Sequence, residues 1–248
     1  MQKHRMGRPE CEEFCVSTYE RNVPYFSGMS TMERAFTQIE ERYRFVLPES
    51  FREFWRRGFC SVLGPGRPGP NYLLLPDMEW MPLAEIITFE FRPYHLPGFV
   101  PFAFTGGGDH WCWQPEFTVD SKTRVLCCYK DCYDADIYAP DFISTVYRHI
   151  IENAAGLQRD GAAVEAGRRE LNAFSSVLTP FISTAWQQTL SDIVQRTVIK
   201  SRSTDARPTD WYFLLSPREC KDILRRDLSC DWLDSKFRWM RPPRRAVG

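Results

Sequence analysis

Gly98–Trp113, GFVPFAFTGGGDHWCW, is the stretch whose reading decides the fold. An apolar run of strand type ends at Thr105. Gly106, Gly107, Gly108 and Asp109 follow, and then the bulky residues His110 to Trp113. Three consecutive glycines are costly in a sheet, because each loses more backbone freedom on folding than any other residue. Such a cluster marks a turn, a bulge or a close backbone approach. The simplest reading is a β-turn between two strands, with glycine supplying positive φ and Asp109 bonding its own backbone. Consecutive glycine N–H groups can also form an anion nest, but no helix-forming segment follows here, which favours the sheet turn.

Working outward, two helices precede this hairpin. Ser30 to Glu33 has the form of a capping box opening a helix over 31–43, with Met32, Phe36, Ile39 and Tyr43 on one face. Leu47-Pro48 breaks it, and a second helix over 49–57 turns Phe51, Phe54 and Trp55 inward before Gly58 stops it. Gly64 to Gly69, GPGRPG, spells a dinucleotide fingerprint, yet its prolines remove the N–H donors a pyrophosphate needs, so a loop is expected. A short strand over 72–75 and a strand end with a helical turn over 80–87 lead back to the hairpin.

Downstream, 109–113 and 124–129 read as strands, 131–136 as a tight acidic loop and 137–139 as a sheet extension. Asp141 caps a helix reaching Asn153, with Phe142, Ile143, Val146, Tyr147 and Ile150 as its apolar face. These elements give an α+β fold, an antiparallel sheet with packed helices. The rest reads as a mostly helical C-terminal extension: 161–173, then 184–200, a polar linker over 201–209, and a helix opened by the Ser216 to Glu219 capping box. The end, RWMRPPRRAVG, reads as basic and frayed. Three segments result: an N-terminal arm (1–29), a central domain (30–155) and the helical extension (156–248).

The chain has 32 basic and 32 acidic side chains, so net charge indicates no partner. Residues 1–155 hold 16 basic and 21 acidic groups, whereas 156–248 hold 16 and 11, so the two parts present different surfaces. A hydrophobic share of 43% is enough for a packed core and argues against global disorder. No apolar run approaches the roughly 18 residues that cross a bilayer, and MQKHRMGRPECEEF lacks an apolar signal core. A soluble cytoplasmic protein with reduced thiols is therefore expected.

Chemistry-bearing constellations are sparse. Cys128 and Cys132 have zinc-like spacing, but the second ligand pair is missing, so buried reduced cysteine is the better reading. His110 and Cys112 share a strand face at about 7 Å along it, a poor fit for proton transfer. No catalytic residue, metal site or cofactor is expected. Asp131, Asp134, Asp136 and Asp141 cluster, with Asp109 across the sheet. They can bind a cation or cover a basic protein site, and each also has a turn or capping rationale.

The ordered elements resemble the SUKH superfamily, the Smi/Knr-type domain. Four blocks carry the likeness: LPESFREFWRRG (47–58), WMPLAEI (80–86), FVPFAFTGGGDHWCW (99–113), and VLCCYKDCYD (125–134) followed by APDFISTVYRHI (139–150). Phe102 to Thr105 departs from the family in carrying an aromatic where a small or polar residue is common. Residues 60–70 are unusually proline-rich, and 156–248 have no counterpart. The resemblance implies a binding fold without catalytic machinery. Many bacterial relatives look like immunity proteins that bind and neutralise a cognate toxin, and eukaryotic relatives act as adaptors in signalling. A non-catalytic immunity protein is therefore the expected role of this chain, with an adaptor or regulatory scaffold that binds its own cell's proteins as the alternative. The resemblance further implies that Gly106, Gly107, Gly108 and Asp109 turn at the edge of a protein-binding face supported by Trp80 and Glu85. Asp131, Asp134 and Asp136 complete the expected protein-binding set. The expected partner is a toxin's effector domain, not a membrane, a nucleic acid or a small molecule.

Overall fold

Strand alternation through the hairpin explains why the sheet is apolar on both sides. The computed structural model describes residues 30–59, 78–119, 122–156, 158, 160–203, 208–228 and 233–241. The expected arm (1–29), the GPGRPG loop and the strand over 72–75 lie outside them. In chain order the elements are α1 (Thr31–Tyr43), α2 (Glu49–Arg56), β1 (Glu79–Trp80), α3 (Leu83–Thr88), β2 (Val100–Phe104), β3 (His110–Val119), β4 (Lys122–Cys128) and β5 (Asp134–Ala139). There follow α4 (Phe142–Ala154), α5 (Gly161–Leu178), α6 (Thr184–Val194), β6 (Ile199–Arg202), β7 (Asp210–Phe213), α7 (Pro217–Asp227) and β8 (Lys236–Arg238). Six strands form one antiparallel sheet in the order β1-β2-β3-β4-β5-β8, and β6-β7 is a separate hairpin. The molecule is therefore α+β, as expected.

In β3 the odd positions Trp111 and Trp113 face the helices, together with Val125 and Cys127 of β4. The alternate residues Cys112, Leu126 and Cys128 point to the other face, because successive strand side chains oppose each other. On the helical side Phe51 of α2 meets Trp113 at 4.9 Å and Phe142 of α4 at 5.2 Å, both edge-on, the favoured geometry for aromatic pairs. Val164, Leu171, Leu190, Ile193 and Leu224, from α5, α6 and α7, belong to the same buried cluster. A smaller core covers the opposite face: Phe99, Ala135 and Ile137 with Trp239 and Met240.

That second core corrects the reading of the tail over 238–241; 242–248 lie outside the described residues. Trp239 is 1% exposed, and its Nε1–H donates to the Cys132 carbonyl at 2.7 Å. Burial of a large ring with its one donor satisfied outweighs the charge of the flanking arginines. The preceding Lys236–Arg238 pairs with Asp134–Asp136, so β5 begins at Asp134 and not at Ile137.

Local signals set most helix ends. Ser30 accepts from the Glu33 N–H at 3.2 Å, but Glu33 reaches Arg56 and not back to its cap. At α7 the box closes in both directions: the Glu219 N–H donates to Ser216 Oγ, and the Ser216 N–H to the Glu219 carboxylate. Gly58 has φ 71 just past α2, as a left-handed stop requires. Three ends differ from expectation, one of them that of α5, expected over 161–173 and running on to Leu178. The expected helix over 184–200 ends at Val194, since Thr197-Val198-Ile199 is β-branched and passes into β6. The polar linker over 201–209 is accordingly the β6-β7 hairpin in its described part. β3 runs past Trp113 to Val119, with the register slipping between Trp113 and Thr118, around Pro115, which cannot donate to the ladder.

Candidate functional site: the cleft beside the glycine turn

Thr105 and Asp109 close the turn between β2 and β3. The Thr105 N–H donates to the Asp109 carbonyl, and the Gly108 N–H to the Thr105 carbonyl, each at 2.9 Å. The Asp109 N–H donates to Thr105 Oγ1 at 3.0 Å. Gly108 alone of the three glycines has positive φ, at 94°. A Cβ there would stand 3.0 Å from Lys130 Cδ, so this position combines a left-handed backbone with close packing. Gly106 and Gly107 are exposed. The Asp109 carboxylate does more than brace its own turn: Oδ1 accepts the Lys130 N–H at 2.9 Å. It thereby ties the β2-β3 turn to the loop after β4.

The other expected residues divide into three groups. Trp80 lies in the helical-side core, 5.2 Å from the Phe54 ring and stacked at 6.3 Å on Phe102. Glu85 is exposed on α3, whose buried residues are Leu83 and Ile86. Asp131 is exposed, while Asp134 pairs with Arg238 at 2.7 Å and Asp136 pairs with Lys236. The Tyr129 hydroxyl also donates to Asp136 at 3.1 Å. β8 thus sets a cation opposite two of the four clustered carboxylates, in strict cross-strand register, while Asp141 caps α4.

Beside the turn is a cleft of about 420 Å³. Gly106, Gly107, Gly108, Thr105 and Phe104 form one wall; Arg92, Tyr94 and His95 form another, with His110, Lys130 and Trp239 completing it. His95 stacks on Trp239 with ring centres 4.5 Å apart and 15° between planes. The Arg92 N–H donates to His95 Nδ1 at 3.1 Å, which places the proton of the neutral ring on Nε2. Burial pulls the His95 pKa below its ordinary value, and the neighbouring His110 and Arg92 pull the same way. Burial also lowers His110, against the attraction of Asp109. The reading from sequence missed Arg92, Tyr94, His95, Lys130 and Trp239. The one available signal was a tryptophan in an otherwise polar, basic tail.

Cys127 and Cys128 are poorly suited to nucleophilic work. Burial pushes the Cys127 thiol up to about 12 and Cys128 well above the ordinary thiol value, so neither supplies thiolate at neutral pH. Among the described residues no group of three or more His, Cys, Asp or Glu side chains is arranged to hold a metal ion, and no helix is long and apolar enough to cross a membrane.

Compared with protein families, residues 31–147 match the SMI1 / KNR4 family (SUKH-1). Those residues are a SUKH-1 domain. The match spans α1 through β5 and the first half of α4, and therefore includes the glycine turn, Lys130 and the carboxylates of β5. The SUKH family includes toxin-immunity proteins and is generally non-catalytic. Comparison with curated proteins and with solved structures returned no match. Within this chain the SUKH-1 sheet is extended by β8, from beyond the matched residues.

Proposed function

We propose that this protein is a non-catalytic, cytoplasmic immunity protein that neutralises a cognate secreted toxin of bacterial competition by direct binding. The SUKH-1 domain over 31–147 is the observation that carries this reading, since toxin immunity is a role found in that family. Two further features support it. The buried thiols of Cys127 and Cys128 have raised pKa values, which suits packing and not nucleophilic chemistry. The turn at Gly106–Asp109 is held by a hydrogen bond to the next loop, giving a rigid surface that loses little freedom on association.

On this reading the binding face is the end of the sheet that carries Gly106, Gly107, Gly108 and Asp109, with Asp131, Asp134 and Asp136 on the adjoining loop and strand. Trp80 supports it from the core, and Glu85 lies on the neighbouring helix α3. The test is to express the full chain in cells producing the toxin encoded beside it, and to measure survival and co-purification. Protection with a stoichiometric complex is the expected result. Unprotected cells and no complex would refute the reading.

A further inference from the structure

The cleft beside the glycine turn has a sign. Its lining contains two cations, Arg92 and Lys130, and two histidines, but no carboxylate. Both cations are exposed, and neither is in a salt bridge with a described residue, whereas Lys236 and Arg238 nearby are paired with Asp136 and Asp134. Arg241 is also exposed and in no salt bridge with a described residue; its N–H donates to the Tyr94 carbonyl at 2.7 Å, which puts it at the rim. Asp109, at the end of the turn, accepts from the Lys130 backbone and Thr105. Glu79 approaches Gly106, with Oε1 3.6 Å from where a Cβ would be. Asp131 follows Lys130 on the outside of the loop, exposed to solvent.

Aromatic surface adjoins these charges. Tyr94 is 41% and Tyr133 45% exposed, two of the three large hydrophobic side chains most open to solvent among the described residues. Tyr94 lines the cleft, and the Tyr133 carbonyl accepts the Trp239 N–H that anchors its floor. Tyrosine and arginine side by side on a rigid support are the residue types that dominate binding energy at protein interfaces. Unpaired cations around a concave site favour an occupant of opposite charge, by steering it in and by penalising basic competitors.

We propose that this cleft is the docking site for an acidic, carboxylate-bearing segment of the protein partner. The inference rests on the immunity reading for the partner's nature, but not for the cleft's sign. A glutamate side chain entering between Arg92 and Lys130 meets both cations, and its backbone lies along the exposed edge of Gly106 and Gly107. The absence of a side chain at Gly107, where a Cβ would meet only Thr105 Oγ1, leaves room for main-chain approach.

The probe is a fluorescein-labelled glutamate-rich peptide added to the full-length protein, with a lysine-rich peptide and a single-stranded oligonucleotide of matched charge as comparisons. Polarisation is read at low salt and at about 0.3 M salt, where exposed charges are screened. The protein is expected to bind the glutamate peptide, to ignore the lysine peptide, and to release the former as salt rises. The double variant Arg92→Gln/Lys130→Gln is expected to bind roughly thirtyfold more weakly, the sum of two exposed ion pairs at the upper end of their range. Lys221→Gln, on the exposed side of α7, is expected to leave binding unchanged. Equal binding by the double variant and the wild type overturns the proposal. So does tighter, Arg92- and Lys130-dependent capture of the oligonucleotide, which would identify a phosphate backbone as the occupant. Cell protection separates this proposal from the broader one. A double variant that loses the peptide yet protects fully overturns the cleft as the partner's site and leaves immunity standing. Loss of peptide binding in the variant, with no protection even by the wild type, supports the acidic docking site and removes the immunity reading.

Discussion

Acidification from about pH 7 to about pH 5 is expected to cost the fold about 2 kcal/mol through one residue, His149 of α4. Its ring is 6% exposed and sits 5.5 Å from Trp111, edge to face. Tyr138 donates its hydroxyl proton to Glu152, so the Tyr138 oxygen accepts from His149 Nδ1 at 3.3 Å. The neutral ring therefore carries its proton on Nδ1, and Nε2 is buried with no partner. A second proton would create a cation there with no acceptor. Burial, reinforced by the adjacent Arg148, accordingly lowers the pKa from 6.5 to about 4. The unfolded ring takes up a proton as pH falls through 6.5, and the folded ring does not until about 4. Stability from this group is complete above 6.5 and is lost as pH falls; near pH 5 roughly 1.5 pK units have been lost, which converts to about 2 kcal/mol. Urea unfolding of the wild type and His149→Phe at the two pH values measures this, the difference between their pH responses being the contribution of His149. An equal response in both proteins would refute the reasoning. Should the variant not fold, an NMR titration of the wild-type imidazole decides the same point, and a midpoint near 6.5 would refute it.

Glu170 of α5 works in the opposite direction: both carboxylate oxygens are buried without a partner, and burial raises its pKa to about 7. Its ionisation strains the fold at neutral pH and is relieved as pH falls, so Glu170→Gln should be more stable than wild type near neutrality and should reveal a steeper acid loss by the same urea assay. Gly108→Ala should cost about 1–2 kcal/mol in melting experiments, because alanine must adopt the φ of 94°, whereas Gly107→Ala should cost far less. Trp239→Ala should cost about 3–5 kcal/mol by removing the keystone of the second core, with the loss visible in urea unfolding. A cost below about 1 kcal/mol would mean the tail does not cover the sheet.

Residues with strong local rules were legible in the sequence. Ser30, Asp141 and Ser216 cap their helices because a side-chain oxygen must satisfy free N–H groups wherever the chain enters a helix. Gly106–Asp109 turns because the flanking apolar strands demand it. Long-range partners were not legible. Nothing local in Lys236–Arg238 states that it will pair with Asp134–Asp136, and nothing in Asp134 or Asp136 states that a cation will face it. The same limit hid the cleft, whose walls come from Arg92–His95, Gly106–His110, Lys130 and Trp239, four places far apart in the chain. Helix length was misjudged at Val194 because apolar periodicity continued into β-branched residues that prefer a strand.

The β5-β8 pairing joins residues a hundred positions apart, Asp136 with Lys236. During synthesis, β1 to β5 can assemble well before β8 exists, and β5 is then an open edge with unpaired N–H and C=O groups. Open edges of this kind recruit other strands. Closing a loop so long is slow relative to local folding. The nascent sheet therefore has an interval in which its edge and its uncovered apolar face, Cys112, Leu126 and Cys128, are available to other chains. A chain released before Lys236 would keep that adhesive state permanently, so truncation upstream of β8 should yield aggregates and not a smaller folded protein.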